Sequence, residues 1–227
     1  MTEPPLPQKP FEEGIEKLIA RLRRAELPEH VFNIYKSDDT KLDVRGGAAK
    51  RRENLRRYIK AIREPRFAFI GIATGWRGAR FTGVPFTDED RLCIPGSCYD
   101  RTGKRERPYR EATAGVVMDL LGARSDVICW NIVPWHPHQP REPLSNADPD
   151  SETIGYGIEV LEFLFARLYP NAQAVAVGNI AAEALASLRV NGQPIAVAAQ
   201  LRHPAHGGAE EFRASARALL LIEPEIE

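Results

Sequence analysis

Three apolar runs, far apart along the chain, each end in a loop of unusual composition. That repetition restricts the fold more than any other feature. Phe67-Ala68-Phe69-Ile70-Gly71-Ile72-Ala73 leads into Thr74 and Gly75 and continues to Phe81-Thr82-Gly83-Val84-Pro85-Phe86. Val127-Ile128-Cys129-Trp130-Asn131-Ile132-Val133 ends at Pro134-Trp135. A third run leads into Leu201-Arg202-His203-Pro204-Ala205. Short apolar runs bounded by turn signals fit strands covered on both faces, the condition of a parallel sheet flanked by helices. In such sheets ligands bind at the carboxyl edge, where these three loops would gather.

The spacing predicts strands over residues 66–73, 126–133, 172–177 and 194–199. Helices are predicted over 11–27, 48–63, 112–121, 150–168, 180–188 and 210–221. Strands alternating with helices imply an α/β fold with a mostly parallel sheet covered on both faces. The chain has 227 residues, 43% of them hydrophobic, enough for one full core and not for a second large domain. One domain over 1–227 is therefore expected. Residues 1–10 are Pro-rich and read as loose, and 1–65 form a basic helical extension packed on the rest.

Net charge is zero, so charge alone names no polyanionic partner. Its distribution is uneven. Basic residues dominate from Lys41 to Arg66 and again from Arg101 to Arg110, while acids gather at Glu12, Glu13 and Glu16 and in the tail Glu223, Glu225 and Glu227. Such patches fit phosphate contact or solvated helix faces. No apolar run reaches about 18 residues, and the N-terminus lacks the pattern of a signal peptide. Three cysteines, Cys93, Cys98 and Cys129, suit free thiols in a bacterial-type cytosol better than a disulfide framework.

The chemistry is read from the loops. Gly71, Gly75, Gly78 and Gly83 would let backbone approach a ligand, without the spacing of a phosphate-binding or dinucleotide motif. Phe86 offers a ring to stack on a planar base. Asn131, alone in an apolar stretch, offers an amide that must be paired, matching the N3–H and O4 edge of uracil. His203 stands where it could hydrogen-bond an oxygen that gains negative charge. His136 and His138 flank Pro137 without companion ligands at a convincing spacing, so no metal is expected.

Taken together, Gly71-Ile72-Ala73-Thr74-Gly75, Thr82-Gly83-Val84-Pro85-Phe86, Asn131-Ile132-Val133-Pro134 and His203-Pro204-Ala205 resemble the motifs of the uracil-DNA glycosylase superfamily over about residues 65–215. The second and third are similar to its single-strand-selective (SMUG-type) branch. The resemblance implies a three-layer α/β/α sandwich with a central four-stranded parallel sheet and DNA across its carboxyl edge. It implies that Phe86 stacks on the flipped base and Asn131 reads its Watson–Crick edge. Gly71, Ile72 and Gly75 would complete the base pocket. His203, with backbone donors at Ala73 and Thr74, would stabilise the departing anion. Pro204, Ala205, His206, Gly207 and Arg213 would approach DNA, as would Arg80.

The implied activity is monofunctional hydrolysis of the N-glycosidic bond of uracil or a C5-modified pyrimidine, leaving an abasic site, without cofactor or metal. The enzyme would act as a cytoplasmic monomer on single- or double-stranded DNA. No lysine stands in the motifs, so no strand-cleaving lyase step is expected. Active families usually carry Asp, Glu or Asn at one of the positions held here by Ile72 and Ala73; Asp88, Glu89 or Asp90 could reach the site instead. The prototype uracil enzyme has a tyrosine where Gly75 stands, so Gly75 is expected to leave room at the pyrimidine C5. Three alternatives follow: excision of a bulkier base such as a phage-type modified cytosine, a binder of damaged bases without catalysis, and an unrelated hydrolase using a metal at Trp135–His138.

Overall fold

A computed structural model describes residues 7–221. The elements run α1 (Gln8–Arg24), β1 (Val31–Phe32), α2 (Gly47–Ala61), β2 (Phe67–Ala73), α3 (Ala79–Thr82), α4 (Glu89–Leu92), α5 (Ala112–Leu121) and β3 (Val127–Val133). They continue with β4 (His136–Pro137), α6 (Ser151–Arg167), β5 (Gln173–Val177), α7 (Asn179–Ser187), β6 (Arg189–Val190), β7 (Gln193–Pro194), β8 (Val197–Leu201) and α8 (Ala209–Leu220). The central sheet has four parallel strands in the order β3-β2-β5-β8.

Strand alternation divides the core in two. Ala68, Ile70, Ile128, Trp130, Ile132, Ala174 and Ala176 face a large cluster that includes Leu18 and Leu22 of α1, Leu55 of α2 and Leu161 and Leu164 of α6. Phe67, Phe69, Val127, Cys129, Val175 and Val177 face a smaller cluster with Val117 and Leu121 of α5 and Phe212 of α8. The sheet is thus covered on both faces, as expected, and the N-terminal helices share the larger core. Helix α6 sits close on β3, because Gly157 has no side chain where a Cβ would overlap the Ile132 carbonyl oxygen. Asp150 caps that helix, its Oδ1 accepting the Thr153 N–H at 2.8 Å.

The departures from expectation have local causes. Helix α1 begins at Gln8 rather than Phe11. Pro10 is tolerated because the first helical turn has no intrahelical partner for its N–H groups. The last strand lies at Val197–Leu201 rather than 194–199, because Arg189–Val190 and Gln193–Pro194 pair as a small hairpin. Its turn, Asn191 and Gly192, has φ of 51° and 79°, the left-handed pair of a tight hairpin turn. That Asn-Gly signal was present in the sequence. The acidic tail lies outside the described residues, as do the first six positions. Among the described residues no helix is long and apolar enough to cross a membrane.

Candidate functional site

Face alternation carries straight into the site. Gly71 of β2 pairs in register with Asn131 of β3, and both continue the face that holds Phe69 and Cys129. The missing side chain at Gly71 makes room for two others. A Cβ there would stand 2.5 Å from Phe86 Cζ and 2.8 Å from Asn131 Oδ1. Phe86 reaches this place with φ of 57°, a conformation costly for an aromatic residue and one that clusters at functional sites. His206, in the loop after β8, is held likewise at φ 53°.

These loops enclose a cavity of about 430 Å³ at the carboxyl edge of the sheet. It is lined by Ile72, Ala73, Thr74 and Gly75 after β2, by Phe86 and Asn131, and by Gly178, His203, Ala205 and His206. That volume lies within the range of small-molecule pockets. Phe86, Asn131 and His203 therefore meet, as the sequence reading requires.

The His203 ring has a defined role in hydrogen bonding. Its Nδ1 accepts the Ala205 backbone N–H at 3.1 Å. An amide can only donate, so in the neutral ring the proton stays on Nε2, which is left as a donor. Burial, with His206 nearby, pushes the imidazole below its usual pKa and favours that neutral form. Asn131 is buried, 4% exposed, and no side-chain hydrogen bond from it is made within the described residues. Its amide is therefore free to pair with a ligand.

The backbone of the first motif is more committed than expected. The Thr74 N–H reaches the Val133 carbonyl at 3.3 Å, and the Thr74 carbonyl meets His136 Nδ1 at 2.9 Å. Thr74 thus extends the β2–β3 pairing, and its amide is not available to a leaving group. Ala73 contributes only a methyl and backbone to the lining.

A residue absent from the sequence reading completes the wall. Glu111, the residue before α5, lines the same cavity. Its carboxyl lies over the turn after β2: a Cβ on Gly75 would overlap Oε1, and one on Gly78 would overlap Oε2. The room left by Gly75 is therefore not open, as the sequence suggested, but filled by a carboxyl. Burial and the negative charge of Asp88 push Glu111 up to about 7, with Arg77 acting in the opposite direction. The three acids proposed from sequence do not line the cavity. Asp88 caps α4 and holds the Glu111 N–H at 2.9 Å, while Glu89 binds the backbone N–H groups of Thr102 and Gly103 at 2.8 Å each. Asp90 pairs with Arg110 at 3.0 Å.

No family model and no curated protein matches the chain. Among solved structures it is similar to SMUG2 of Pedobacter heparinus, a member of the uracil-DNA glycosylase superfamily. The TM-score is 0.61 at 14% sequence identity, covering 92% of this chain and 98% of that chain. The two share one fold, a four-stranded parallel sheet covered by helices on both faces.

Around the carboxyl edge the expected DNA contacts divide. Ala205 and His206 line the cavity, exposed Gly207 follows with φ 80°, and Pro204 is buried beneath them. Arg213 lies on α8, paired with Glu210 at 2.6 Å. Arg80 cannot contact DNA: it is 1% exposed, its Nη1 sits 2.9 Å from Asp43 Oδ1, and its guanidinium lies over the Phe32 and Phe81 rings. Part of the basic stretch up to Arg66 is neutralised by ion pairs. Arg51 is buried on Asp43, Arg56 meets Glu16 and Glu53, and Lys50 and Arg57 meet Asp100. Of the histidines weighed for a metal, His136 has both ring nitrogens on carbonyl oxygens, those of Thr74 and Pro143. Among the described residues no three ligating side chains cluster for a metal ion.

Proposed function

We propose that this chain is a DNA glycosylase that hydrolyses the N-glycosidic bond of uracil flipped out of DNA. The observation that carries this reading is the convergence of Phe86, Asn131 and His203 on one cavity at the carboxyl edge of the sheet. Phe86 stacks on the extruded ring, a contact worth about 1–3 kcal/mol in nucleic-acid sites. The Asn131 amide pairs with its Watson–Crick edge. As the C1′–N1 bond stretches, charge collects on the base, and His203 Nε2–H donates to its oxygen. A neutral donor suits this task, since the ring is held below its usual pKa. Flipping is required because the bond is out of reach within the stack.

A panel of oligonucleotides tests the reading. Single-turnover release should be seen with uracil, in single- or double-stranded DNA, and strand scission should appear only after hot alkali. Tight binding to uracil-containing DNA with no abasic product would make the chain a damaged-base binder instead. Removing one oxyanion donor typically costs about 2.7–4 kcal/mol of barrier. His203→Ala should therefore slow release on the order of a hundredfold, while affinity for the DNA changes little. An unchanged rate would remove His203 from the mechanism.

A further inference from the structure

The first motif lacks an acid at Ile72 and Ala73, yet the cavity does not lack one. Two features hold the Glu111 carboxyl in place: its own N–H is fixed on Asp88 Oδ2, and the 75–78 turn carries glycine at both positions facing it. No hydrogen bond from the described residues ends on either carboxyl oxygen. The carboxyl is part-buried and faces the cavity, so the donor it lacks from the protein can come from a ligand or water there. Glu111 also stands beyond Ala73, the last residue of β2, whereas Phe86 and Asn131 crowd Gly71 further down that strand. Strands β2 and β8 are separated by β5, so the loops that follow them, with the Gly75 turn on one and His203 on the other, leave the sheet two strand spacings apart, on the order of 10 Å.

We infer that Glu111 is the acid–base residue of this site, taking the proton of the water that attacks C1′. The inference rests on the glycosylase reading. The C1′–N1 bond breaks with its electron pair leaving on the base, whose anion is met by His203. The sugar carries the positive charge, and the nearby carboxylate lowers its energy. The water oxygen then bonds to C1′ and its proton passes to Glu111. Glu111 returns that proton to solvent, and the base anion takes one up, so water is the only co-reactant.

The charged and titratable groups around Glu111 come from several elements. Asp88 stands at the start of α4 with Arg91 bound to it at 2.9 Å. Arg77 comes from the turn after β2, the Asp90–Arg110 pair lies alongside, and His136 sits on β4. Asp148, His203 and His206 line the same cavity.

The test is single-turnover base release from uracil-containing DNA between pH 5.5 and 9, for the native chain, Glu111→Gln and Glu111→Ala. The native rate should rise with pH through about 7, as the carboxyl ionises, and then level off. Glu111→Gln should lower it on the order of a hundredfold, flatten that rise and leave DNA affinity nearly unchanged. Added formate should restore part of the Glu111→Ala rate and leave the native rate unaltered. Full activity and an intact pH profile in Glu111→Gln would overturn the inference alone. A native chain that releases no base would instead defeat the glycosylase reading and the inference with it.

Discussion

Replacing Asp43 with alanine is expected to cost about 3–5 kcal/mol of folding stability, the penalty for leaving a buried charge without its partner. Asp43 is the hub of a buried ionic cluster. Its Oδ1 binds Arg80 Nη1 at 2.9 Å and its Oδ2 binds Arg51 Nη2 at 3.1 Å, with all three side chains essentially inaccessible. Arg51 also donates to the Ile34 carbonyl at 2.6 Å and to Thr102 Oγ1 at 3.1 Å. Burial already lowers Arg51 to about 10, and Asp43 is the main charge opposing that. Asp38 lies 3.8 Å from Arg51 and would offset part of the loss there, but Arg80 would keep only ring faces. The midpoint of urea unfolding measures the effect. A shift worth less than about 1 kcal/mol would mean that water reaches the cluster. Activity should fall as well near the lowered transition, since Arg80 sits on α3, whose first residue, Ala79, lines the cavity.

The same cluster explains what the sequence could and could not reveal. Strands β2 and β3 were legible because seven-residue apolar runs allow few other structures, and their ends pointed to Phe86 and Asn131. His203 was legible for the same reason, as a polar residue just past β8. Arg80 was misread because a cation in a loop near the carboxyl edge of a sheet looks solvent-exposed. Only the fold brings Asp43 under it. Glu111 was missed because, between Arg110 and Ala112, it reads as an ordinary acid at a helix start. Its signal was indirect, in the two glycines three positions apart at 75 and 78. Both had been read as freedom for a ligand, whereas they clear space for a side chain from another segment. The two-residue pairing of β1 with β4 carries too little sequence pattern to be seen in advance.

A carboxyl held in that space has a thermodynamic consequence that can be measured without any substrate. In the unfolded chain Glu111 takes its ordinary value of 4.5, and in the folded chain it is pushed up to about 7. Between those values the folded state keeps a proton that the unfolded state has released. Stability therefore falls as pH rises through this window, and the full cost is present above it. At 1.36 kcal/mol per pKa unit, the difference amounts to about 3 kcal/mol. Glu111→Gln keeps the shape and removes the ionisation. The variant should match the native chain near pH 4 and exceed it by about 3 kcal/mol at pH 8, as measured by urea unfolding at the two pH values. Equal stabilities at both would mean that the carboxyl is solvated and ionises normally. A gain in stability joined to a loss of base release would give Glu111 the character of a functional group, since the fold would be better off without its charge.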